Sequence, residues 1–306
     1  MKISHIKGNT HVIDTGIVTI PFYRLNDGEV ILLDSGWNKD GEELRRVLGE
    51  MGFTVKGILN SHAHPDHMGN NQYFREMDGA VTAMSEAEAW VYANSLNLKI
   101  FYNILTIEEI EEEYEGMFHT PDILIPKGAG EIDLLGVNFK LLHFPGHSAD
   151  QLAIITPDNI MYVGDLVLSE RVLHGSKIPY DFYLKQDLES KARVKTAEAD
   201  CYILAHAGIV ENLAELAALA EKNIRYFKDK AREIYELAED NSTMDDIFKK
   251  AKAVMRINIT TPQRYAVVIR MLRSNVEYLE YKGYLTKVID DGYIKYRKNQ
   301  PDWTSF

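Results

Sequence analysis

The order of apolar and polar positions predicts a β-rich first part that leads into one helix and a buried strand. Asp40–Met51 places Leu44 and Leu48 four positions apart, which is typical of an amphipathic helix. Val55–Asn60 is a short apolar run of the kind found in buried strands, and a histidine-rich segment follows it. Before that helix, apolar runs separated by turn residues predict three strands: His11–Asp14, Gly16–Tyr23 and Val30–Asp34.

The middle of the chain combines one helical stretch with further short strands. Ser85–Phe118 has helical spacing, and its acidic run Glu108–Glu113 is typical of a solvated helix face. Tyr202–Ala205 is a late apolar run that ends at His206. Four other strand-like runs lie between them: Ile132–Leu135, Val137–Phe144, Gln151–Ile155 and Ile160–Val163.

After Gly208 the pattern becomes helical. Glu211–Glu239 has apolar residues at helical spacing, Ser242–Asp245 resembles a capping box, and Pro262 is placed to start a third helix. Two strand-like runs joined at Asp291-Gly292 then predict a hairpin: Tyr284–Asp290 and Tyr293–Lys298. We therefore predict a catalytic domain over 1–210 and a helical, winged-helix-like domain over 211–306.

Composition is that of a globular protein in a reducing compartment. Of the 306 residues, 45% are hydrophobic and 26% charged, and the single cysteine, Cys201, excludes an intrachain disulfide. The N-terminus has no apolar stretch of a signal peptide, and no segment has the ~18 consecutive apolar residues of a membrane span. We expect a cytoplasmic protein without a membrane partner.

The charge is uneven along the chain. The formal net charge is −12, which disfavours a general attraction to nucleic acid or anionic membranes. From Arg256 to Phe306, however, nine Lys/Arg stand against five Asp/Glu, so this region carries +4. The C-terminal domain could therefore contact an anionic partner such as RNA.

The run Ser-His-Ala-His-Pro-Asp-His contains the strongest chemical signal in the chain. Alternation along an extended segment puts His62, His64 and Asp66 on one side, so the two imidazoles can face one metal ion. Asp66 and His67 would lie just past the strand end, where a loop can turn them toward a second ion. Imidazole binds zinc, iron or nickel, and a carboxylate also accepts harder ions. A solvated polar loop is the alternative, but four ligand types within six residues favour a metal site.

Three further candidates each follow a strand-like run, as the remaining ligands of a dinuclear site would. His147 lies in Phe-Pro-Gly-His-Ser, Asp165 in Met-Tyr-Val-Gly-Asp, and His206 in Ile-Leu-Ala-His-Ala-Gly. Small neighbouring residues allow the backbone to approach a crowded centre. Each is weak evidence alone, and their common placement is what makes them candidates.

Taken in order, these motifs resemble those of the metallo-β-lactamase-fold hydrolase superfamily over about the first two-thirds of the chain. The resemblance implies an αββα sandwich with the site at one edge, between the two sheets. It implies that one metal binds His62, His64 and His147, while a second binds Asp66, His67 and His206. Asp165 would bridge the two ions, and Asp34 would lie near the site without binding metal. The final Ala-His-Ala-Gly departs from the commoner Pro-Gly-His-Gly, but it keeps the ligand.

Substrate contacts are expected after the bridging residue. In the resembled family this region often touches substrate, and Leu168–Tyr183 offers His174, Lys177 and Tyr180. An ordinary loop and helix start would explain the segment equally well. Cys201 is interpreted as a small buried hydrophobic residue, whereas His143 could line the mouth of the site or simply belong to a strand.

The leading hypothesis is a metal-dependent hydrolase in which two divalent ions activate a hydroxide. Zinc is the first choice of metal, with iron or manganese as alternatives. We expect a small-molecule ester, thioester or lactone substrate, with Asp66 orienting the hydroxide. Leu168 occupies a position where quorum-quenching lactone hydrolases often have tyrosine, which disfavours that class.

The architecture is also similar to the lactamase-like protein 2 branch, which includes a single-strand RNA endonuclease. The alternatives are thus an RNA phosphodiesterase and a non-catalytic metal-binding protein; a homodimer is possible in each case.

Overall fold

Two β-sheets form the centre of the protein. The computed structural model describes residues 1–300 and 303, so positions 301, 302 and 304–306 of the predicted C-terminal domain lie outside the described residues. The first sheet follows the order of the chain: β1 (Lys2–Lys7), β2 (Thr10–Asp14), β3 (Thr19–Arg24), β4 (Glu29–Leu33), β5 (Thr54–Leu59), β6 (Val81–Ser85) and β7 (Ile123–Ile125). The second runs in the order β13-β12-β11-β10-β9-β8: β8 (Glu131–Leu134), β9 (Val137–His143), β10 (Leu152–Ile155), β11 (Ile160–Gly164), β12 (Cys201–Leu204) and β13 (Gly208–Val210).

Helices cover the outer faces of the sheets and form most of the C-terminal region. No helix in the described part of the chain is both long and apolar enough to cross a membrane. The helices are α1 (Gly41–Glu50), α2 (Pro65–Met68), α3 (Asn71–Asp78), α4 (Glu86–Val91), α5 (Ser95–Phe101), α6 (Ile107–Glu113), α7 (Glu170–Gly175), α8 (Leu184–Val194), α9 (Leu213–Leu237), α10 (Met244–Val254) and α11 (Pro262–Tyr281). A short 3-10 helix at Asn38–Asp40 precedes α1.

Three apolar clusters show that the sheets stack as an αββα sandwich. Residues of both sheets, such as Leu59 and Tyr162, meet in one buried cluster between them. On the outer face of the first sheet, Leu44 of α1 packs in a second cluster with the strands. On the outer face of the second sheet, Leu216 of α9 packs in a third. Each sheet thus buries both faces, and the predicted fold class is confirmed.

Strand ends deliver the chemical residues to one edge of this sandwich. β4, β5, β6 and β7 pair in parallel, and β11 pairs in parallel with β12. The histidine run follows the end of β5, Asp165 follows β11 directly, and His206 comes two residues after β12. Carboxyl ends of neighbouring parallel strands open at the same edge of a sheet, where ligands commonly bind.

The C-terminal helices share their core with a segment from before residue 210. Leu168, Leu184 and Leu188 are buried in the same cluster as residues of α9, α10 and α11. The hairpin β14 (Leu285–Asp290) and β15 (Tyr293–Lys298) closes the region at the predicted turn, where both central residues have positive φ. The division between 1–210 and 211–306 stays a prediction, as does the winged-helix likeness.

The prediction of one helical stretch over Ser85–Phe118 was wrong in detail, because the structure divides this range into three short helices. Asn94 and Thr106 interrupt it, and each caps the next helix by accepting a hydrogen bond from a backbone amide three residues later. The capping box of α10 is formed by Thr243 and Asp246, one residue later than predicted. The sequence patterns also missed eight of the labelled elements in the described part of the chain: β1, β6, β7, β13, α2, α3, α7 and α8.

Candidate metal centre

All seven predicted ligand residues meet at one edge of the sandwich. Their donor atoms form two groups, and within each group the atoms lie within 4.8 Å of one another. The first group contains only histidines, whereas the second combines histidines with carboxylates. The groups are His62, His64 and His147, then Asp66, His67, Asp165 and His206.

In the first group, three ring nitrogens converge on one point. His62 Nε2 lies 2.8 Å from His64 Nδ1, which lies 3.1 Å from His147 Nε2. The hydroxyl of Ser61, 3.0 Å from His62 Nδ1, fixes the orientation of the first ring. Burial lowers the pKa of His62 and His147 well below the usual histidine value, and that of His64 to about 4. The group is therefore a set of neutral nitrogens.

In the second group, carboxylates stand opposite histidines. His206 Nε2 lies 3.2 Å from Asp66 Oδ2 and 3.4 Å from Asp165 Oδ2, and His67 Nε2 also lies 3.4 Å from Asp165 Oδ2. Burial acts to lower the pKa of both histidines, but Asp165 and its neighbours outweigh it. The pKa of His67 is thus held well above its usual value, and that of His206 is raised to about 10.

Asp165 connects the two groups. The same oxygen that faces His67 and His206 lies 3.6 Å from His147 Nε2, a donor atom of the first group. Burial raises the pKa of this carboxyl, but His67 and His206 outweigh burial and hold it well below its usual range. An ionised carboxylate is therefore shared by both groups, which is the position that the resemblance assigned to a bridging ligand.

A buried network behind the centre orients His67. Asp34 Oδ2 lies 2.7 Å from His67 Nδ1 and accepts hydrogen bonds from the hydroxyls of Tyr162 (2.7 Å) and Ser61 (2.6 Å). This contact leaves His67 Nε2 to face the second group, as supporting carboxylates do for metal-binding histidines. Sequence reasoning placed Asp34 near the site but missed Tyr162 and Ser61, because their contacts cross from one element to another.

A second buried acid supports the backbone between the first two histidines. Glu88 accepts hydrogen bonds from the backbone amides of Ala63 (3.0 Å) and Asp150 (2.7 Å), and burial raises the pKa of its carboxyl. This residue ties the loop that carries His62 and His64 to the segment that follows His147. Nothing in its local sequence distinguishes it from an ordinary helix acid.

The residues present fit divalent metal ions. Two buried polar atoms at the meeting point, His67 Nε2 and Asp165 Oδ1, have no hydrogen-bond partner among the described residues. Such atoms are costly to bury unless something binds them. A bound metal would also explain why three ring nitrogens crowd together in the first group. Ligands of one zinc ion approach each other to about 3.3 Å when each lies ~2.0–2.1 Å from the metal.

Asp66 is turned away from the first two histidines, as expected for a residue past the strand end. It lies with His206 in the second group. Pro65 starts the short helix α2 immediately after His64, which ends the extended conformation and turns the next side chain toward the second group. The position matches the one implied by the family resemblance.

Of the predicted substrate residues, Tyr180 is the one with contacts to the centre in the described part of the chain. Its ring packs edge-on against His64 (4.7 Å between ring centres) and His147 (5.4 Å). His174 instead contacts Tyr226 of α9, and Lys177 is exposed. The substrate roles of these two residues stay predictions without a supporting contact.

Other histidines and the cysteine have structural surroundings. His143 lies 2.9 Å from Asp150 Oδ1, and His11 stacks on Phe22. His119, for which the sequence offered no partner, lies 3.1 Å from Asn71 Nδ2. Cys201 is half-buried in β12.

A narrow pocket beside His64 leads toward the centre. Its walls are mainly aromatic, with Tyr92, Tyr102 and Phe182 facing it, and Ser148 lies between them. The buried hydroxyl of Tyr180 also lines this pocket and has no hydrogen-bond partner in the described part of the protein. The space measures only about 20 Å³, so its aromatic side chains form an apolar wall beside the centre, and Tyr180 could donate a hydrogen bond to a polar atom there.

Comparison with known proteins identifies the family. Residues 13–206, more than half of the chain, match the model of the metallo-beta-lactamase superfamily. The chain belongs to this superfamily. The crystal structure of a metallo-beta-lactamase family protein from Thermus thermophilus superposes with a TM-score of 0.68 at 21% identity, covering 92% of this chain and 94% of that one. This likeness shows the fold, including much of the helical C-terminal region.

Two curated relatives align with a smaller share of the chain. The chain is 22% identical over 211 residues to the atrochrysone carboxyl ACP thioesterase of Passalora fulva, covering 67% of this chain and 50% of the thioesterase. It is 27% identical over 153 residues to the probable metallo-hydrolase YqgX of Bacillus subtilis (strain 168), covering 50% of this chain and 64% of that protein. The chain thus spans less than two-thirds of either relative. Both relatives carry hydrolase names, which supports the predicted enzyme class.

Proposed function

We propose that this protein is a metal-dependent hydrolase that cleaves a small-molecule thioester. The observation that carries the proposal is the single carboxylate oxygen of Asp165, which faces donor atoms of both groups. His62, His64 and His147 would hold one ion, while Asp66, His67 and His206 would hold the other. Zinc suits this set of donors, and iron or manganese could replace it.

Two divalent ions, when bound, would supply an activated water and stabilise negative charge on the substrate. The protein's own residues would orient the water and move its proton to the leaving sulfur. Asp66, which is less buried than the other carboxylate, would orient the attacking water and accept its proton. Tyr180, whose hydroxyl has no other partner among the described residues, would donate a hydrogen bond to the carbonyl oxygen as charge develops there.

The thioester is preferred among the predicted substrate classes for two reasons. One curated relative is named a thioesterase, whereas Leu168 stands where lactone hydrolases of the resembled family often have tyrosine. In addition, the aromatic side chains beside His64 would contact an apolar acyl group and keep water from it. The products would be a free acid and a thiol.

A hydrolysis panel tests this proposal. Zinc-loaded protein is offered one acyl group as a thioester and as the matched oxygen ester, together with a lactone, a single-stranded RNA and a β-lactam. We expect the thioester to have the highest kcat/KM, with activity lost on chelation and restored by zinc. Cleavage of the RNA alone would contradict the proposal and favour the phosphodiesterase, and metal binding without any hydrolysis would favour a non-catalytic role.

A further inference from the structure

A second cavity lies between the catalytic sandwich and the C-terminal helices. Its volume is about 710 Å³, within the ~300–1,000 Å³ that is usual for small-molecule sites. One wall is the segment that joins α5 to α6, and the other walls are α10, α11 and the hairpin. The centre described above uses none of these elements, so the cavity is a separate feature of the molecule.

The walls combine apolar side chains with two cations. Ile100 and Ile104 line the catalytic side, and Ile269 lines the side of α11. Arg270 and Arg273 also line the cavity, and residues three positions apart lie on the same face of a helix. Neither guanidinium forms an ion pair within 4 Å in the described part of the protein, but exposed Asp245 also lines the cavity and Glu277, one turn after Arg273 on α11, interacts electrostatically with both arginines.

The cavity adjoins the pocket beside His64. Phe101 and Tyr102 line both spaces, so these two aromatic residues form the partition between them. Arg270 strengthens this partition, because its guanidinium lies 3.8 Å from the ring centre of Phe101 and donates a hydrogen bond to the carbonyl oxygen of the same residue. On its other side Phe101 stacks on Phe182, with 5.7 Å between ring centres. The two spaces are therefore adjacent and share this wall, so a long ligand at the metal centre would have to pass its edge to reach the second cavity.

We propose that this cavity binds the phosphate-ended thiol arm of the substrate, with Arg273 as the main phosphate contact. The inference rests on the proposed thioesterase function. Apolar walls alone would suit an acyl chain, but two guanidinium groups that form no close ion pair favour a ligand that also carries an anion. Arginine pairs with phosphate through two parallel hydrogen bonds, which makes it the better cation for this purpose. A thiol arm that ends in phosphate combines a long, flexible body with that anion.

Binding of two matched probes tests the proposal without hydrolysis. S-methyl phosphopantetheine and S-methyl pantetheine have the same arm and differ only in the phosphate, and methylation keeps the sulfur from binding metal as a thiolate. By calorimetry on zinc-loaded protein, we expect the phosphorylated probe to bind about tenfold tighter, as one charge-assisted contact would give. Arg273→Glu is expected to reduce this difference to less than twofold.

The matched control is Arg225→Glu, which makes the same charge change at an exposed position of α9 outside the cavity. We expect this variant to keep the preference for the phosphorylated probe. Equal affinity of the wild-type protein for both probes would overturn the proposal. Equal loss of preference in both variants would overturn it too, because it would assign the effect to overall charge.

The result of the probe-binding experiment can be distinguished from the result of the hydrolysis panel. If the probes behave as expected while no thioester is hydrolysed, the proposed function fails and the phosphate contact stands. If thioesters are hydrolysed while both probes bind equally, the function stands and the phosphate contact fails.

The phosphate-ended arm could come from coenzyme A or from a carrier protein. The same acyl group is therefore also assayed on each of them and on pantetheine. A higher kcat/KM for either phosphorylated carrier than for acyl-pantetheine supports the proposal and identifies the source. Values no higher than that of acyl-pantetheine overturn it.

Discussion

Replacing Asp165 by asparagine is expected to lower kcat/KM for thioester hydrolysis by roughly 10³-fold and to reduce the metal content of the protein. Asp165 is the residue whose one oxygen faces donor atoms of both groups, at 3.4 Å from His67 and His206 and 3.6 Å from His147. Asparagine has nearly the same shape but no charge, so the two cations would lose the anion that separates them. The effect should therefore be on metal binding and catalysis rather than on packing.

The measurement combines metal analysis of the purified protein with kinetics at saturating zinc. Asp200→Asn is a suitable control, because Asp200 is an exposed aspartate at the start of the neighbouring strand and pairs with Lys7 at the surface. That variant should keep both the metal and the activity. An Asp165→Asn protein that retains two ions and near wild-type kcat/KM would contradict the bridging role.

Replacing Gly146 by alanine is expected to reduce the free energy of unfolding by about 3 kcal/mol or more. This glycine has a φ of +132°, a conformation that other residues rarely adopt. A Cβ atom there would lie 2.1 Å from the backbone nitrogen of Asp187 in α8, and backbone cannot move aside as a flexible side chain can. The neighbouring His147 would be displaced with it.

Urea unfolding of wild type and variant measures this loss. Gly175→Ala is the matched control, because a Cβ atom at Gly175 meets nothing within 4 Å and its φ lies outside the positive range that strains other residues. We expect that change to alter stability by less than about 1 kcal/mol. If Gly146→Ala were as stable as Gly175→Ala, the close approach of this loop to α8 would be wrong.

The sequence predicted much of the sandwich because strands buried on both faces read as short apolar runs. Val55–Asn60 was predicted and Thr54–Leu59 is observed, and the C-terminal hairpin agrees to within a residue. Edge strands such as β1 and β7 were missed, since they have mixed or very short apolar patterns. The division of Ser85–Phe118 depends on side-chain caps at Asn94 and Thr106, which a hydrophobic pattern does not weigh.

The candidate site was predictable in its residues but not in its arrangement. Ligand types and strand-end positions pointed to all seven residues, and the resemblance divided them into two groups. Asp66 was expected to turn toward the second ion just past the strand end, but the sequence pattern did not show that a proline-initiated helix makes this turn. The supporting residues Tyr162 and Glu88 could not be recognised, since Tyr162 contacts Asp34 and Glu88 contacts the ligand-bearing loop, each from a distant element. Arg270 escaped notice for the same reason, because its contact with Phe101 spans 169 positions.

Anomalous X-ray diffraction from crystals of the zinc-loaded protein tests the central claim most directly, because it locates each bound ion. The account predicts two peaks at the zinc edge, separated by about 3.5–4 Å. One peak should lie among His62, His64 and His147, the other among Asp66, His67 and His206, with Asp165 between them. A single peak, or peaks away from these residues, would contradict a dinuclear centre.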